Sequence, residues 1–359
     1  MRIGIVTQPL EMNYGGILQN WALQQALKSL GHEPVTIDAY ERFSTPHYLF
    51  NCLRTAWMRY RGKKWMKYPD RYRGALRSET VGRFIEEHID KTRVLWDYKR
   101  SVVRRYRMDA LIVGSDQVWR QVYGGDHLED MYLRFAAGLP IRRVAYAASF
   151  GIDHWDYTPE QTAACAALAQ QMDAVSVREE SGVAMCREHL GVDAQWVLDP
   201  TMLLEAEQYE PIIDKEWNDT EPYLAVYCLT INPEKEAFFQ KLADDRGLKV
   251  VYFSSGWTSK VTVEQWLTMF KNASMVVTDS FHGTVFSILF GKDFYSLCTP
   301  HRGITRINSL LSRLGLAHRL VLDNTLTNAS THDIDWTAVH DRLEDLRRES
   351  FGFLRDALS

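Results

Sequence analysis

The run VTDSFHGTVFSILF brings Asp279, Ser280, His282, Gly283 and Thr284 together between an apolar strand-like stretch and an apolar stretch at helical spacing. Free N–H groups at a helix start favour an anion, and Gly283 lets backbone approach a ligand closely. His282 is therefore a candidate acid–base group or anion contact, expected to lie exposed at a cleft. Arg302 and Arg306, in HRGITRINSLL, follow the next strand and add positive charge. Arg178, in VSVREES, stands just past another strand. It reads either as a bidentate clamp for phosphate or carboxylate or as a surface ion pair with Glu179 and Glu180. VGSDQVWR places Ser115 and Asp116 after a strand, followed by Gln117 and Trp119. Hydroxyl, carboxylate and indole suit a sugar, with hydrogen bonds for its hydroxyls and an apolar face for its ring. The structural alternative is an N-cap beside a core tryptophan. Near the start, RIGIVTQ leads into Asn13, Tyr14, Gly15, Gly16 and Gln19. These follow a strand's carboxyl end, where open α/β sheets hold ligands. The pattern is not G-x-G-x-x-G, so no dinucleotide follows from it.

Something must hold these loops. Short apolar runs alternate with helical patterns along the chain: RIGIV, EPVTIDAY, DALIVGSD, RRVAYAASFG, MDAVSVREE and AQWVLDPT, then YLAVYCL, LKVVYFS, SMVVTDS and DFYSLC. The alternation predicts α/β architecture with two Rossmann-like domains facing a cleft. The first spans residues 1–201 and is assigned the acceptor side. The second spans 202–335, the donor side, and helices over 336–359 are expected to pack across both. Met202 to Glu221 reads as an acidic, irregular linker.

The chain has 359 residues with net charge −4, which argues against a nucleic-acid binder. Its five cysteines are scattered without C-x-x-C spacing, so neither a disulfide framework nor a zinc site is predicted and a reducing cytoplasm is expected. No signal peptide or spanning apolar run is evident. One segment breaks the rhythm: an insertion at about 47–107, whose part from His47 to Arg77 contains Asp70 as its only acidic residue. Leu49, Leu53, Trp57 and Tyr60 share one helical face, while Arg54, Arg59, Arg61, Lys63, Lys64 and Lys67 occupy the rest, with Trp65 nearby. The segment reads either as a solvated cover on a sheet edge or as a contact for a polyanion or an anionic membrane surface, the inner face of the cell membrane.

Taken together, NYGGILQNWALQQALKSLG, DALIVGSDQVW, YAASFG, VSVREESG, VLDPT and VTDSFHGTVFSILFGKDF resemble the polysaccharide pyruvyl transferase family, from Arg2 to about Leu316. The resemblance implies a GT-B-like fold and transfer of a pyruvyl group from phosphoenolpyruvate to two sugar hydroxyls, as a cyclic ketal. The family's arginine in the VRE element falls on Arg178 and its histidine before glycine on His282. Many members carry arginine two residues before that histidine, where this chain has Ser280, and Arg306 or Arg302 is the expected substitute. The site read this way has His282 and Asp116 as acid–base groups. Arg178, Ser280, Gly283, Thr284, Arg302 and Arg306 face the donor. Asn13, Tyr14, Gly15, Gly16, Gln19, Ser115 and Trp119 face a sugar acceptor, lipid-linked if the insertion meets a membrane. No metal or cofactor beyond phosphoenolpyruvate as co-substrate is expected. Two other functions use such a chain: a nucleotide-sugar glycosyltransferase and a non-catalytic glycan-binding protein.

Overall fold

A computed structural model describes residues 1–40, 45–63, 79–217, 221–256, 259–298, 304–322, 326 and 332–359. Arg302, Lys64, Trp65, Lys67 and Asp70 lie outside these residues. The apolar runs form the strands, and the central ones are buried on both faces, as parallel strands flanked by helices must be. In the first half these are β1 (Arg2–Val6), β2 (Glu33–Thr36), β3 (Ala39–Tyr40), β4 (Leu95–Trp96), β5 (Ala110–Gly114), β6 (Arg142–Ala148), β7 (Ala174–Val177) and β8 (Gln195–Trp196). In the second they are β9 (Tyr223–Tyr227), β10 (Lys249–Tyr252), β11 (Met275–Thr278), β12 (Asp293–Cys298) and β13 (Leu320–Leu322).

The strands form a parallel six-stranded sheet, β2-β1-β5-β6-β7-β8, and a parallel five-stranded sheet, β10-β9-β11-β12-β13. The pair β3-β4 stands apart. The winding direction reverses between β1 and β5 in one sheet and between β9 and β11 in the other. Crevices at the carboxyl ends of such reversal points are where open sheets take ligands. The candidate residues leave the chain at these points: Asn13 after β1, Asp116 after β5, Ser280 after β11.

One apolar cluster joins the halves. Tyr14, Leu18 and Trp21, on the helix Tyr14–Ser29, pack with Tyr209, Trp266, Phe270 and Phe286. Tyr14 is fully buried, and its hydroxyl donates to the Val261 carbonyl at 2.6 Å. Over its described part, from Met202 to Trp217, the expected linker is packed against the protein. Met202, Leu203, Leu204, Tyr209 and Ile212 are buried, and Glu205 with Gln208 forms a reciprocal capping box. The last helix is single, Trp336–Leu358. Val339, Leu343 and Leu346 join the cluster between the halves, while Leu354, Ala357 and Leu358 pack under the six-stranded sheet. In the insertion, Leu49, Leu53, Trp57 and Tyr60 lie on the helix Thr45–Tyr60 with their apolar face turned to solvent. No helix among the described residues is long and apolar enough to cross a membrane.

Candidate active site

Between the two reversal points lies a cavity of about 320 Å³. Met12, Asn13, Asp116, Gln117, Arg120 and Tyr123 line it from the first half. Thr230, Lys235, Asp279, Ser280, Phe281, His282 and Arg306 are among those lining it from the second.

The first wall is an ion-paired network, although Arg178 Nε and Nη2 make no hydrogen bond. Asp116 sits just past β5 with φ of 61°, a conformation that asparagine and aspartate tolerate better than most residues. Asn13 caps the Tyr14–Ser29 helix by accepting from the Gly16 amide and donates to Asp116 Oδ2 at 3.0 Å. Beneath, Arg178 is buried. Its Nη1 donates to Asp199 Oδ2 at 2.6 Å, and its Nη2 makes a charge contact with Asp116 Oδ1 at 3.5 Å. Asp199 also accepts from Ser115 Oγ at 2.9 Å and from the Thr201 amide and hydroxyl. Burial alone would raise the Asp199 pKa, but Arg178, His282 and these hydrogen bonds hold it down at about 2. Burial likewise opposes the charge on Arg178, and Asp199, Asp116 and Glu179 outweigh it, raising that pKa.

The second wall is less satisfied. Ser280 caps the helix Phe281–Leu289 by accepting from the Gly283 amide, and His282 stands in its first turn. The imidazole reaches across to the first half, with Nε2 3.8 Å from Asp199 Oδ2 and without a hydrogen-bond partner. Rather than exposed, His282 is buried, at 6% accessibility. Desolvation lowers its pKa despite the nearby carboxylates of Asp199 and Asp116, so the resting imidazole is neutral. Arg306 forms no ion pair among the described residues, and its Nε is buried without a partner. It is partly accessible, but it lines the cavity, where protein surrounds the charge. Burial, and then repulsion from Arg178, brings its pKa down to about 10. Phe281 meets both guanidinium groups, its ring centre 4.4 Å from Arg178 Cζ and 5.8 Å from Arg306 Cζ. Lys235, also buried, donates from Nζ to the Thr230 carbonyl at 3.0 Å.

The cavity thus gathers Asp116, His282, Ser280, Arg306 and Asn13 from the sequence-predicted set. Others serve elsewhere. Trp119 is fully buried, stacked on Tyr132 and donating to the Met131 carbonyl, so the core reading holds rather than the sugar face. Ser115, Tyr14 and Gln19 are buried and hydrogen-bonded within the protein; Gln19 donates to Thr7 Oγ1 and the Gly16 carbonyl. Gly283 does not line the cavity; a Cβ there would stand 2.2 Å from Thr278 Oγ1, so glycine lets the helix start press against β11. Thr284 is buried against Ser296. Arg178 lies behind the wall and is no surface pair. Gly15 makes room for the His282 ring, since a Cβ would come within 2.1 Å of Nδ1. Gly16 is packed at Asn13 and Asp116.

Sequence reasoning missed Arg120, Lys235 and Asp199. VLDPT marks Asp199 as part of a motif, but nothing local reveals its partners. Two potential metal-ligand groups also emerge only from tertiary contact: Asp97, His127 and Asp130, and Glu87, His88 and Glu264. Neither lines the cavity, and in the first Asp130 already accepts two bonds from Arg134.

Paired parallel sheets with facing reversal points define a GT-B-type α/β protein. The UDP-N-acetylglucosamine 2-epimerase of Neisseria meningitidis, solved with UDP-GlcNAc, superposes with a TM-score of 0.56 at 10% identity, covering 100% of this chain and 99% of that one. The MnaA protein of Staphylococcus aureus, solved with UDP, gives 0.52 at 11% identity over 98% and 90%. Likeness at this identity speaks to the fold alone. Among curated proteins, none matches the chain. The polysaccharide pyruvyl transferase family model matches residues 13–297, and the chain belongs to that family.

Proposed function

We propose that this chain transfers the pyruvyl group of phosphoenolpyruvate to two hydroxyls of one sugar in a glycan or glycan precursor, closing a cyclic ketal and releasing phosphate. The observation that carries this reading is Arg306, a guanidinium with no ion-pair partner among the described residues, in a cavity that also presents His282 and Asp116. Phosphoenolpyruvate brings a phosphate and a carboxylate. Arg306, with Arg120 and Lys235 on the same cavity, offers the positive charge they need. Ser280 then needs no charge of its own, because Arg306 replaces the arginine expected at that position.

The roles follow from the electrostatics. Arrival of the anionic donor beside His282 favours its protonated form, reversing the effect of desolvation. The imidazolium gives a proton to C3 of the enol while a sugar hydroxyl adds to C2, and Asp116 accepts the hydroxyl proton. The C2–O bond to phosphate then breaks, with Asp116 passing its proton to the departing phosphate, and the second hydroxyl adds to the oxocarbenium centre, giving its proton to the now neutral His282. Acid–base help of this kind contributes about a hundred- to ten-thousandfold. Arg178 and Asp199 hold Asp116 and His282 in register from behind, without meeting the donor. The reaction balances with phosphoenolpyruvate as co-substrate and no redox cofactor.

Thermal unfolding with phosphoenolpyruvate, and separately with UDP-GlcNAc, tests this reading. A ligand at a hundred times its Kd adds about 2.7 kcal/mol, so phosphoenolpyruvate should raise the Tm and UDP-GlcNAc should not. The reverse pattern would sink the proposal in favour of a nucleotide-sugar glycosyltransferase. With an acceptor present, His282→Gln should retain the phosphoenolpyruvate-dependent shift and lose phosphate release.

A further inference from the structure

The helix Thr45–Tyr60 wears its polarity inside out. At about 100° per residue, Leu49, Phe50, Leu53, Trp57 and Tyr60 fall within a wedge of roughly 100°. Their exposures are 54%, 63%, 70%, 55% and 91%. A helix covering a core turns such residues inward. Here the opposite side is the one against the protein: Thr55 is buried, and Tyr48, Asn51 and Arg59 are half-buried. Arg54 and Arg61 border the apolar wedge at one edge, and both are exposed. The Arg61 guanidinium lies 4.9 Å from the centre of the Trp57 ring, and Lys63 follows, exposed, just beyond the helix. Between Thr45 and Lys63 there are four Lys or Arg residues and no carboxylate, in a chain whose net charge is −4.

We propose that this helix is a surface anchor that lies flat on an anionic bilayer. Leu49, Phe50, Leu53, Trp57 and Tyr60 enter the boundary between headgroups and acyl chains, and Arg54, Arg61 and Lys63 meet lipid phosphates. Charge selects this occupant. Two copies of the chain pairing through a two-fold axis would set the same cationic border against itself, whereas an anionic surface complements it. The surplus negative charge of the rest of the chain is repelled by such a membrane, so the helix also fixes which side of the protein faces it. The inference is independent of the pyruvyl-transfer reading.

The test is sedimentation of the full chain with phosphatidylcholine vesicles and with mixed phosphatidylcholine–phosphatidylglycerol vesicles, at low salt and at about 0.15 M. Binding to the anionic vesicles alone is expected, weakening as salt rises. Leu53→Asp with Trp57→Asp should abolish it. Removal of Arg54, Arg61 and Lys63 as Gln should weaken it roughly fivefold for each cation. Far-UV circular dichroism and thermal unfolding confirm that the variants fold, and Tyr60→Glu serves if the double variant does not. Failure of the wild type to bind anionic vesicles overturns the proposal, as does undiminished binding by either set. A wild-type dimer in sedimentation equilibrium that Leu53→Asp dissolves would assign the wedge to self-association and overturn it too.

Discussion

On the wall built from the six-stranded sheet, Arg178 is paired at short range with both Asp199 and Asp116. On the facing wall, Arg306 has no ion-pair partner among the described residues and His282 Nε2 has no hydrogen bond. Asp116, Arg178, Asp199 and His282 are buried and Arg306 is only partly accessible, so the main difference lies in the ion-pair partners. A network that is internally paired holds its geometry whether or not a ligand is present. A desolvated cation without a partner is held in a state that an incoming anion relieves. The contrast separates residues that keep the site in shape from those that await the substrate. It also explains why Arg178 and Arg306, equivalent in charge, have pKa values moved in opposite directions.

Removing Arg178 should break the comparison most severely. Arg178→Met leaves Asp199 buried without its counter-ion and should destabilise the fold by about 3–5 kcal/mol, as read by urea denaturation. Arg178→Met with Asp199→Leu should recover much of that loss, because neither charge is then stranded. A single variant within about 1 kcal/mol of wild type would show that the network contributes little.

Acid should act on both walls, in separate windows. Asp199 has its folded pKa held at about 2, below the ordinary aspartate value of about 3.9, so its contribution is complete above that value and is lost as pH falls towards 2. The loss is on the order of 2 kcal/mol. His282 has its folded pKa lowered, so below about 6.5 the unfolded chain takes up the proton first and stability again falls. Unfolding free energy measured against pH should show both declines. Asp199→Asn should flatten the lower one, and His282→Gln should reduce the upper, to which His32 and His318, also lowered by burial, contribute. An upper decline unchanged in His282→Gln would mean that the imidazole is not held neutral.

Gly15 and Gly16 sharpen the contrast at the seam between the walls. In Gly15→Ala the new methyl falls 2.1 Å from His282 Nδ1 and 2.4 Å from Cγ, so the ring must move. Overpacking of this kind costs about 1–3 kcal/mol, partly offset by the better helix propensity of alanine, about 1 kcal/mol. Phosphate release should fall with it, since the displaced ring loses its place beside Asp199. At Gly16 the nearest atoms are Asn13 Nδ2 at 3.1 Å and Asp116 Oδ2 at 3.2 Å, close enough to need only a small adjustment. Gly16→Ala should therefore keep more activity than Gly15→Ala. Equal activities would separate the Gly15 contact from catalysis.

Much of this architecture was legible because apolar runs such as RIGIV, ALIVG and MVVT are short, buried and followed by polar loops. Parallel strands leave that signature, and it put Asp116 and His282 at strand ends. Strands of two or three residues, β3, β4, β8 and β13, are too short for periodicity to reveal alone; AQWVLDPT was found only through its longer apolar run. Roles that depend on distant partners were not legible. Tyr14 looked like a sugar contact beside the glycines, yet its hydroxyl bonds to Val261, 247 residues away. Ser115 and Asp199 meet across 84 residues. Trp119 follows a strand end at the spacing of a ligand contact, but packing against Tyr132 takes its ring into the core. Local spacing says which residues reach a strand's end, and tertiary packing decides which of them turn to the cavity.

The smallest expected effect has the most informative sign. Arg306→Met removes a cation that burial and Arg178 already disfavour, and it strands no carboxylate partner among the described residues. The folded protein without ligand should therefore gain stability, on the order of 1 kcal/mol once water in the cavity is allowed for. The same variant should lose most of the Tm rise produced by phosphoenolpyruvate, because the anion no longer relieves an unpaired charge. Arg178→Met moves ligand-free stability the other way. Paired denaturation curves of the two variants, with and without phosphoenolpyruvate, place both arginines on one scale. A loss of ligand-free stability in Arg306→Met comparable to that of Arg178→Met would mean that Arg306 has a structural partner, and the division between a self-paired wall and a waiting one would fail.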